Sequence, residues 1–368
     1  MKKVILAGGG TGGHLFPALA IAEGIKKRYL NSEISFMGTP KGLEAKVIPQ
    51  KGYPLFYLSV VGLKRGLNLS ILKVIFFLMK SLVEAFKILR QLKPEVVIGT
   101  GGYVSAPAVL AASLMRIPTF IQEQNSFPGM TTRILSLFAK KVFLAYEESK
   151  KYFLLKKNLK VTGNPVRPEI FGADKTSAMK QFNLVPHKKT VLILGGSQGA
   201  STINRAVLED LNLHEKGLNF QVLWQTGEKD YQKIKENLKN KSNSVQTFNF
   251  IEDMSSAYAV GDIIISRAGA ITLSEITGCG RPALLIPYPH ATAEHQKFNA
   301  QVLEKRGAVV VIEEKELTKG KLIAKVLELL ADEAKLKQMS RNSKSLGKPE
   351  ALNEILDEIE KILQTKAA

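Results

Sequence analysis

The sequence predicts an α/β fold built from two doubly wound, Rossmann-like halves, and three observations carry that reading. Short β-branched runs alternate with longer segments of helical period, the pattern of a parallel sheet with crossover helices. The pattern restarts near Thr190, after a GNPVRP stretch at 163–168 whose two prolines and glycine stop both helix and strand. A glycine-rich loop follows the first strand of each half. The 368 residues suffice for two domains of ordinary size, each with its own core.

In the first half, strands are read at VILA (4–7), ISFM (34–37), EVVIG (95–99), TFIQE (119–123) and KVFLA (141–145). In the second they are read at 191–196, 220–227, 245–250, 262–267 and 282–289. From about residue 317 to 364 the chain reads as charged helices, the last around Glu350 to Leu363. The expected division is a first domain over 1–163, a second over 164–345, and a C-terminal helix over 346–368 placed to pack back on the first domain.

Composition narrows the class. A single cysteine, Cys279, leaves neither a disulfide framework nor a thiolate cluster, as expected of a reducing, cytoplasmic setting. The N-terminal MKKVILAGGG lacks the apolar core of a secretory signal. The most apolar stretch, Leu69 to Met79, is broken by Lys73 and closed by Lys80, so no membrane span is expected. The net charge of +19 calls for an acidic partner. No nucleic-acid module and no aromatics interleaved with basic residues accompany it, which places an anionic membrane surface ahead of nucleic acid.

The first glycine loop, GGGTGGH at 8–14, formally contains GxGxxG. No acidic residue at the end of the second strand (Met37, Gly38, Thr39) is placed to hold a ribose, which argues against a dinucleotide, and no Lys-Ser or Lys-Thr ending makes it a triphosphate loop. Five glycines in six positions exceed what a tight turn requires, so close approach to an anion near the start of a helix around Phe16 and Pro17 is expected. GGSQGA at 195–200 repeats the device, with Ser197 offering a hydroxyl to a phosphate. GTGGYVSAP at 99–107 and SRAGAITLSE at 266–275 add two more small-residue strand ends, and four such loops predict a ligand site in a cleft between the domains.

Together with EQNSFPG at 123–129 and GNPVRPE at 163–169, these motifs resemble the MurG family of bacterial N-acetylglucosaminyltransferases, glycosyltransferase family 28, in one order from Met1 to beyond Ala308. The resemblance implies a GT-B fold, two Rossmann-like doubly wound domains facing a central cleft. It implies transfer of N-acetylglucosamine from UDP-N-acetylglucosamine to undecaprenyl-pyrophosphoryl-N-acetylmuramyl-pentapeptide, lipid I, forming lipid II for peptidoglycan at the cytoplasmic side of the cell membrane. On the donor side it implies Glu275 for the ribose hydroxyls, the Ile251 backbone for uracil, Ser197 for a phosphate and Arg167 near the nucleotide. Ala270, Ile271, Thr272, Leu273 and Ser274 form the adjoining helix start, Asn125 and Gln296 resemble contacts to the sugar, and Thr11, Gly12 and Gly13 join both substrates. Gly102 and Tyr103 fall on the acceptor side.

The reaction implied is a single inverting displacement, which needs a base for the attacking hydroxyl and positive charge for the departing diphosphate. His14 is the candidate base, with packing of the glycine loop as its ordinary role, and Glu123 is its rival. Arg267 and Arg167 are read as the charge for the diphosphate, with an interdomain ion pair as their ordinary alternative. No Asp-x-Asp motif ends a strand, so neither a bound metal nor another cofactor is expected.

Residues 69–91 read as one helix with a core stripe of Leu72, Ile75, Met79, Val83, Phe86 and Leu89. Opposite it, Lys73, Lys80 and Lys87 recur with Phe76 and Phe77 among them, and Lys64 and Arg65 precede. That face suits a membrane interface, or a solvated charged surface. A GT-B transferase with another lipid acceptor, an epimerase of the same architecture, a nucleotide-sugar sensor and an oxidoreductase are the competing readings.

Overall fold

The structure, a computed structural model, describes residues 1–60, 71–195, 199–213, 218–238 and 244–367, without the side chains of 71–75, 366 and 367. The chain divides into two compact units, Met1–Arg167 with Glu350–Ala368, and Pro168–Pro349. The first unit therefore ends at Arg167 rather than at 163. Asn164 is tied into it, accepting a 2.8 Å hydrogen bond from Gln122 Nε2 and donating to the Gln124 carbonyl at 3.2 Å.

The first unit runs β1 (Lys3–Gly8), α1 (Gly12–Arg28), β2 (Glu33–Gly38), α2 (Leu43–Gln50), β3 (Leu55–Tyr57), α3 (Ile71–Leu92), β4 (Val96–Gly101), α4 (Ser105–Leu114), β5 (Thr119–Glu123), α5 (Met130–Leu135), β6 (Lys141–Leu144) and β7 (Leu159–Val161). Its sheet has the order β3-β2-β1-β4-β5-β6-β7, with parallel pairing. β1 and β4 are buried along nearly their whole length, as strands covered by helices on both faces must be. The order reverses between β1 and β4, so the loops leaving these two strands flank a crevice at the C-terminal edge of the sheet.

The second unit runs α6 (Lys175–Gln181), β8 (Lys189–Leu194), α7 (Ser201–Asn212), β9 (Phe220–Gln225), α8 (Glu228–Asn237), β10 (Val245–Phe248), α9 (Met254–Val260), β11 (Ile263–Ser266), α10 (Ala270–Gly278), β12 (Ala283–Leu285), α11 (His295–Lys305), β13 (Val309–Val311), α12 (Lys321–Ala331) and α13 (Glu333–Leu346). Its parallel sheet, β10-β9-β8-β11-β12-β13, reverses between β8 and β11, which places Gly195, just after β8, and the SRAGA loop at the equivalent crevice. Trp224, fully buried on β9, anchors the core, and its indole N–H donates to Asn204.

The last helix, α14 (Ala351–Ala367), returns to the first unit. Leu352, Ile355, Leu356 and Ile359 enter the core that α1 and β1 share. Gly24 on α1 makes room for it: a Cβ there would lie 3.0 Å from Leu356 and 3.1 Å from Leu352. Glu358 meets Lys160 at 2.7 Å and Lys141 at 3.2 Å, and Arg28 pairs with Asp357.

Candidate active site

In the first unit the loop after β1 is shaped by its neighbours. Thr11 has extended backbone, and its carbonyl accepts from the amides of His14 and Leu15, so α1 starts at Gly12 rather than near Phe16 and Pro17. His14 consequently sits in the first turn of the helix. No acidic residue and no side-chain cap occupy that turn, which includes Gly12 and Gly13, leaving the positive end of the helix dipole uncompensated by either.

The His14 ring is held by two oxygens. Its Nδ1 lies 3.1 Å from the Thr100 carbonyl and 3.1 Å from Gln124 Oε1. The Gln124 amide is orientated by its own Nε2, which donates to the same Thr100 carbonyl at 2.7 Å and to Gln122, whose side chain continues to Asn164. Both neighbours of Nδ1 are thus acceptors. The network assigns the proton to Nδ1 and leaves the lone pair on Nε2, the arrangement a general base requires.

Glycine is required beneath the ring. Gly101 has φ +102°, and a Cβ there would fall 2.5 Å from His14 Nδ1. Gly102, at φ +78°, packs against the backbone of Gly9, where a Cβ would lie 2.5 Å from the carbonyl oxygen, and so brings the two loops into direct contact. The next residue, Tyr103, is substantially exposed.

Glu123 is buried at the end of β5, and its carboxylate faces its own loop. Oε1 accepts from the Asn125 backbone N–H at 3.0 Å and from the Asn125 side chain at 3.2 Å, while Oε2 accepts from the Gly129 amide at 3.2 Å. The carboxylate fixes the EQNSFPG turn and with it the side chain of Asn125.

Sequence reasoning missed Glu44. This carboxylate, buried at the start of α2, accepts from the Gly10 amide at 2.8 Å, the Thr39 amide at 2.9 Å and the Thr39 hydroxyl at 2.7 Å. Burial raises its pKa, but the donated hydrogen bonds outweigh burial and hold the carboxyl below its usual range. One amide of the glycine loop is therefore already committed to an internal anion. No motif in the sequence marks Glu44, because two of its three donors are backbone amides, which any residue type supplies.

In the second unit, Ser197 lies outside the described residues. α10 begins at Ala270 after Gly269, with no side-chain cap and no acidic residue in the turn formed by Ala270, Ile271 and Thr272. Leu273 turns its side chain into the core, and the Ser274 hydroxyl donates to the Ala270 carbonyl at 3.0 Å, so these two side chains are engaged with the protein itself. Glu275, half-buried on the same helix, accepts from the buried Tyr258 hydroxyl at 2.8 Å.

The Ile251 amide donates to Gln225 Oε1 at 2.9 Å. Gln296 Oε1 accepts from the amides of Ala268 (3.2 Å) and Tyr288 (3.0 Å), which joins the SRAGA loop to the turn before α11. Arg267 pairs with Glu314, donates to the Ile286 carbonyl at 3.2 Å and lies over the Tyr288 ring. Its ion pair is within the second unit, not between domains, the ordinary alternative kept beside the diphosphate role. Arg167 is exposed at the last position of the first unit.

The helix expected to meet a membrane departs from the sequence reading on its buried side. Along α3 the fully buried line is Ser81, Ala85 and Leu89, whereas Met79 and Val83, expected in the core, are 54% and 50% exposed. Ser81 and Ala85 share the inward face with Leu89, and Leu82, Phe86, Ile88 and Leu92 pack beside it, so the buried face is rotated away from Met79 and Val83. Phe76, Leu78 and Lys80 are exposed, and Phe77 is half-buried. The Lys73 side chain, Lys64 and Arg65 lie outside the described residues. No helix among the described residues is long and apolar enough to cross a membrane.

Comparison with known proteins agrees in both units. The glycosyltransferase family 28 N-terminal domain matches residues 4–144 and the glycosyltransferase family 28 C-terminal domain matches 190–355. The chain is 43% identical over 367 residues to a UDP-N-acetylglucosamine-N-acetylmuramyl-(pentapeptide) pyrophosphoryl-undecaprenol N-acetylglucosamine transferase of Desulforamulus reducens, covering 98% of this chain and 99% of the relative. It is 42% identical over 364 residues to a protein of the same name from Listeria monocytogenes, covering 98% and 100%. Among solved structures, Acinetobacter baumannii MurG aligns with a TM-score of 0.79 at 28% identity over 98% of this chain and 100% of that one. The UDP-GlcNAc 2-epimerase of Neisseria meningitidis, at 17% identity and a TM-score of 0.66 over 98% and 100%, shares the fold alone. The architecture is GT-B, and with both halves matched by the family and a 43% identical relative along its length, the chain belongs to glycosyltransferase family 28.

Proposed function

We propose that this chain is an inverting hexosyltransferase that moves N-acetylglucosamine from UDP-N-acetylglucosamine to the 4-hydroxyl of the N-acetylmuramyl group of lipid I, forming lipid II for peptidoglycan. The observation that carries this is the 43% identity, from end to end, to relatives named for that transfer.

His14 is the general base. Its Nε2 takes the proton of the acceptor hydroxyl as that oxygen attacks the anomeric carbon, and the bond from that carbon to the diphosphate breaks with its electron pair leaving on UDP. Glu123 holds the loop that carries Asn125, since its carboxylate is occupied by three donors of that loop. On the donor, Glu275 receives the ribose hydroxyls and the α10 N-terminus faces the pyrophosphate, stabilising charge as UDP departs. The Ile251 amide is taken by Gln225, so its carbonyl serves the uracil N–H. Gln296 presents its amide N–H to the sugar, its oxygen being held by two backbone amides. Arg267, already paired with Glu314, orders the loop, and Arg167 is the arginine left for the nucleotide.

The first unit works against the cytoplasmic face of the cell membrane as a peripheral protein. In support, α3 exposes Phe76, Leu78, Met79 and Val83 beside Lys80 and Lys87. A second exposed apolar set, Met130, Ile134, Leu137 and Phe138, accompanies Lys140 around α5. Apolar side chains among lysines suit an anionic interface.

The test is transfer from radiolabelled UDP-N-acetylglucosamine to a lipid I analogue. Wild type forms product, Glu275→Ala loses donor affinity, and His14→Ala loses about 10²- to 10⁴-fold in turnover. UDP binding with no lipid product under any condition would refute the acceptor assignment.

A further inference from the structure

Glu275 has a partner that the transfer reaction does not call for. Tyr258, on α9, is 1% exposed, and its hydroxyl donates to Glu275 Oε2 at 2.8 Å. The helix carrying it is fixed at its start by Asp253, whose carboxylate accepts from the Ser256 amide at 3.0 Å. Packing alone would be served by phenylalanine, and a buried hydroxyl is retained at a desolvation cost that only its hydrogen bond offsets. Burial and then the Glu275 charge push the phenol pKa well above its ordinary value, so the group stays a donor throughout the working range of the protein.

We propose that Tyr258 is a positioning residue for the nucleotide-sugar donor: it pins the Glu275 carboxylate in the orientation that receives the ribose diol. Glu275 lies on the second turn of α10, with rotatable bonds between backbone and charge. A rigid donor on a neighbouring helix removes that freedom before the ligand arrives, so less ordering is left to binding. An ionised carboxylate has about four lone-pair sites, enough for the phenol and two ribose hydroxyls together. The proposal rests on the assignment of Glu275 to the ribose made above.

The experiment compares wild type, Tyr258→Phe and Glu275→Ala in the full chain, titrated calorimetrically with UDP and with 2′,3′-dideoxy-UDP, and assayed for transfer. Tyr258→Phe keeps the ring and its packing. The expected result is a loss of about 5- to 10-fold in UDP affinity and a matching rise in KM for UDP-N-acetylglucosamine, with kcat within about twofold of wild type. With the dideoxy ligand, which has no hydroxyls to receive, the same substitution should cost less than about twofold, because the two deletions remove one interaction. Equal losses with both ligands would mean that the hydroxyl only supports packing, and an unchanged UDP affinity would mean that it does nothing for the donor. Either result overturns the proposal. Glu275→Ala separates the two assignments. If it treats both ligands as wild type does, Glu275 does not hold the ribose. If it discriminates and Tyr258→Phe does not, the positioning role alone fails.

Discussion

Replacing Gly101 by alanine tests how tightly the His14 ring is set. The new Cβ would lie 2.5 Å from Nδ1 and 2.8 Å from Cε1 of the imidazole, where ordinary contact begins at 3.4 Å. The ring must therefore retreat by about 1 Å, a displacement that at a reacting centre costs on the order of 10²-fold in rate. The backbone adds its own strain, because φ at this position is +102°, which an alanine adopts at a cost of about 1–3 kcal/mol. That is a fraction of the roughly 5–15 kcal/mol by which domains are ordinarily stable, so the chain stays folded. Steady-state transfer to a lipid I analogue, beside calorimetric binding of UDP, reads the two effects apart. We expect kcat to fall about 100-fold while UDP affinity stays within about twofold, since no residue assigned to the nucleotide belongs to the β4 loop. A kcat within about threefold of wild type would refute the role given to the ring, and a parallel loss of UDP affinity would refute the locality of the effect.

Three further outcomes are expected. Glu44→Gln should destabilise the first unit by about 1–3 kcal/mol at neutral pH in urea unfolding, since it sets an amide N–H against the donors of the glycine loop. Because the folded pKa of Glu44 is lowered, its charge contributes stability in full above the unfolded carboxyl value of about 4.3, and that part is lost as pH falls through the lowered folded value. The gap between wild type and variant should narrow over that window and not at higher pH. Ile355→Ala, emptying a fully buried site where α14 docks, should cost about 2–5 kcal/mol, and a change under about 0.5 kcal/mol would show that the helix docks without contributing. Phe76→Ser with Lys80→Glu should reduce cosedimentation with anionic vesicles by at least about tenfold, with little effect on neutral ones or on UDP binding.

The loops of the candidate site were legible because they are covalently simple: a glycine run directly after a buried strand has few physical uses, and two such runs are joined by two further strand ends of small residues. The central strands were readable for the same reason, being continuous β-branched runs. The edge strands β3, β7 and β13, three residues each, are too short to carry a period and went unseen. On α3 the hydropathy pattern selected the large residues as core, whereas the buried line runs through Ser81 and Ala85. Of the expected stripe, Leu89 and Phe86 do pack inward, while Met79 and Val83 do not. Glu44, Gln124 and Tyr258 act through partners distant in sequence, 34 residues away for Gly10 and Glu44, and 110 for His14 and Gln124, and no local pattern encodes such pairs.

The return of α14 to the first unit carries a consequence for biosynthesis. The second unit is an uninterrupted segment, Pro168–Pro349, and can complete its own sheet as soon as it has left the ribosome. The first unit, although made earlier, lacks Leu352, Ile355, Leu356 and Ile359 until the whole second unit has been made. At about 5–20 residues per second, the surface of α1 awaiting them stays uncovered for roughly 10–40 s after Arg167 is joined. The domain encoded first is thus the one that matures last. A chain released before Ala351 should present that apolar face to chaperones and proteases, while its second unit is already complete.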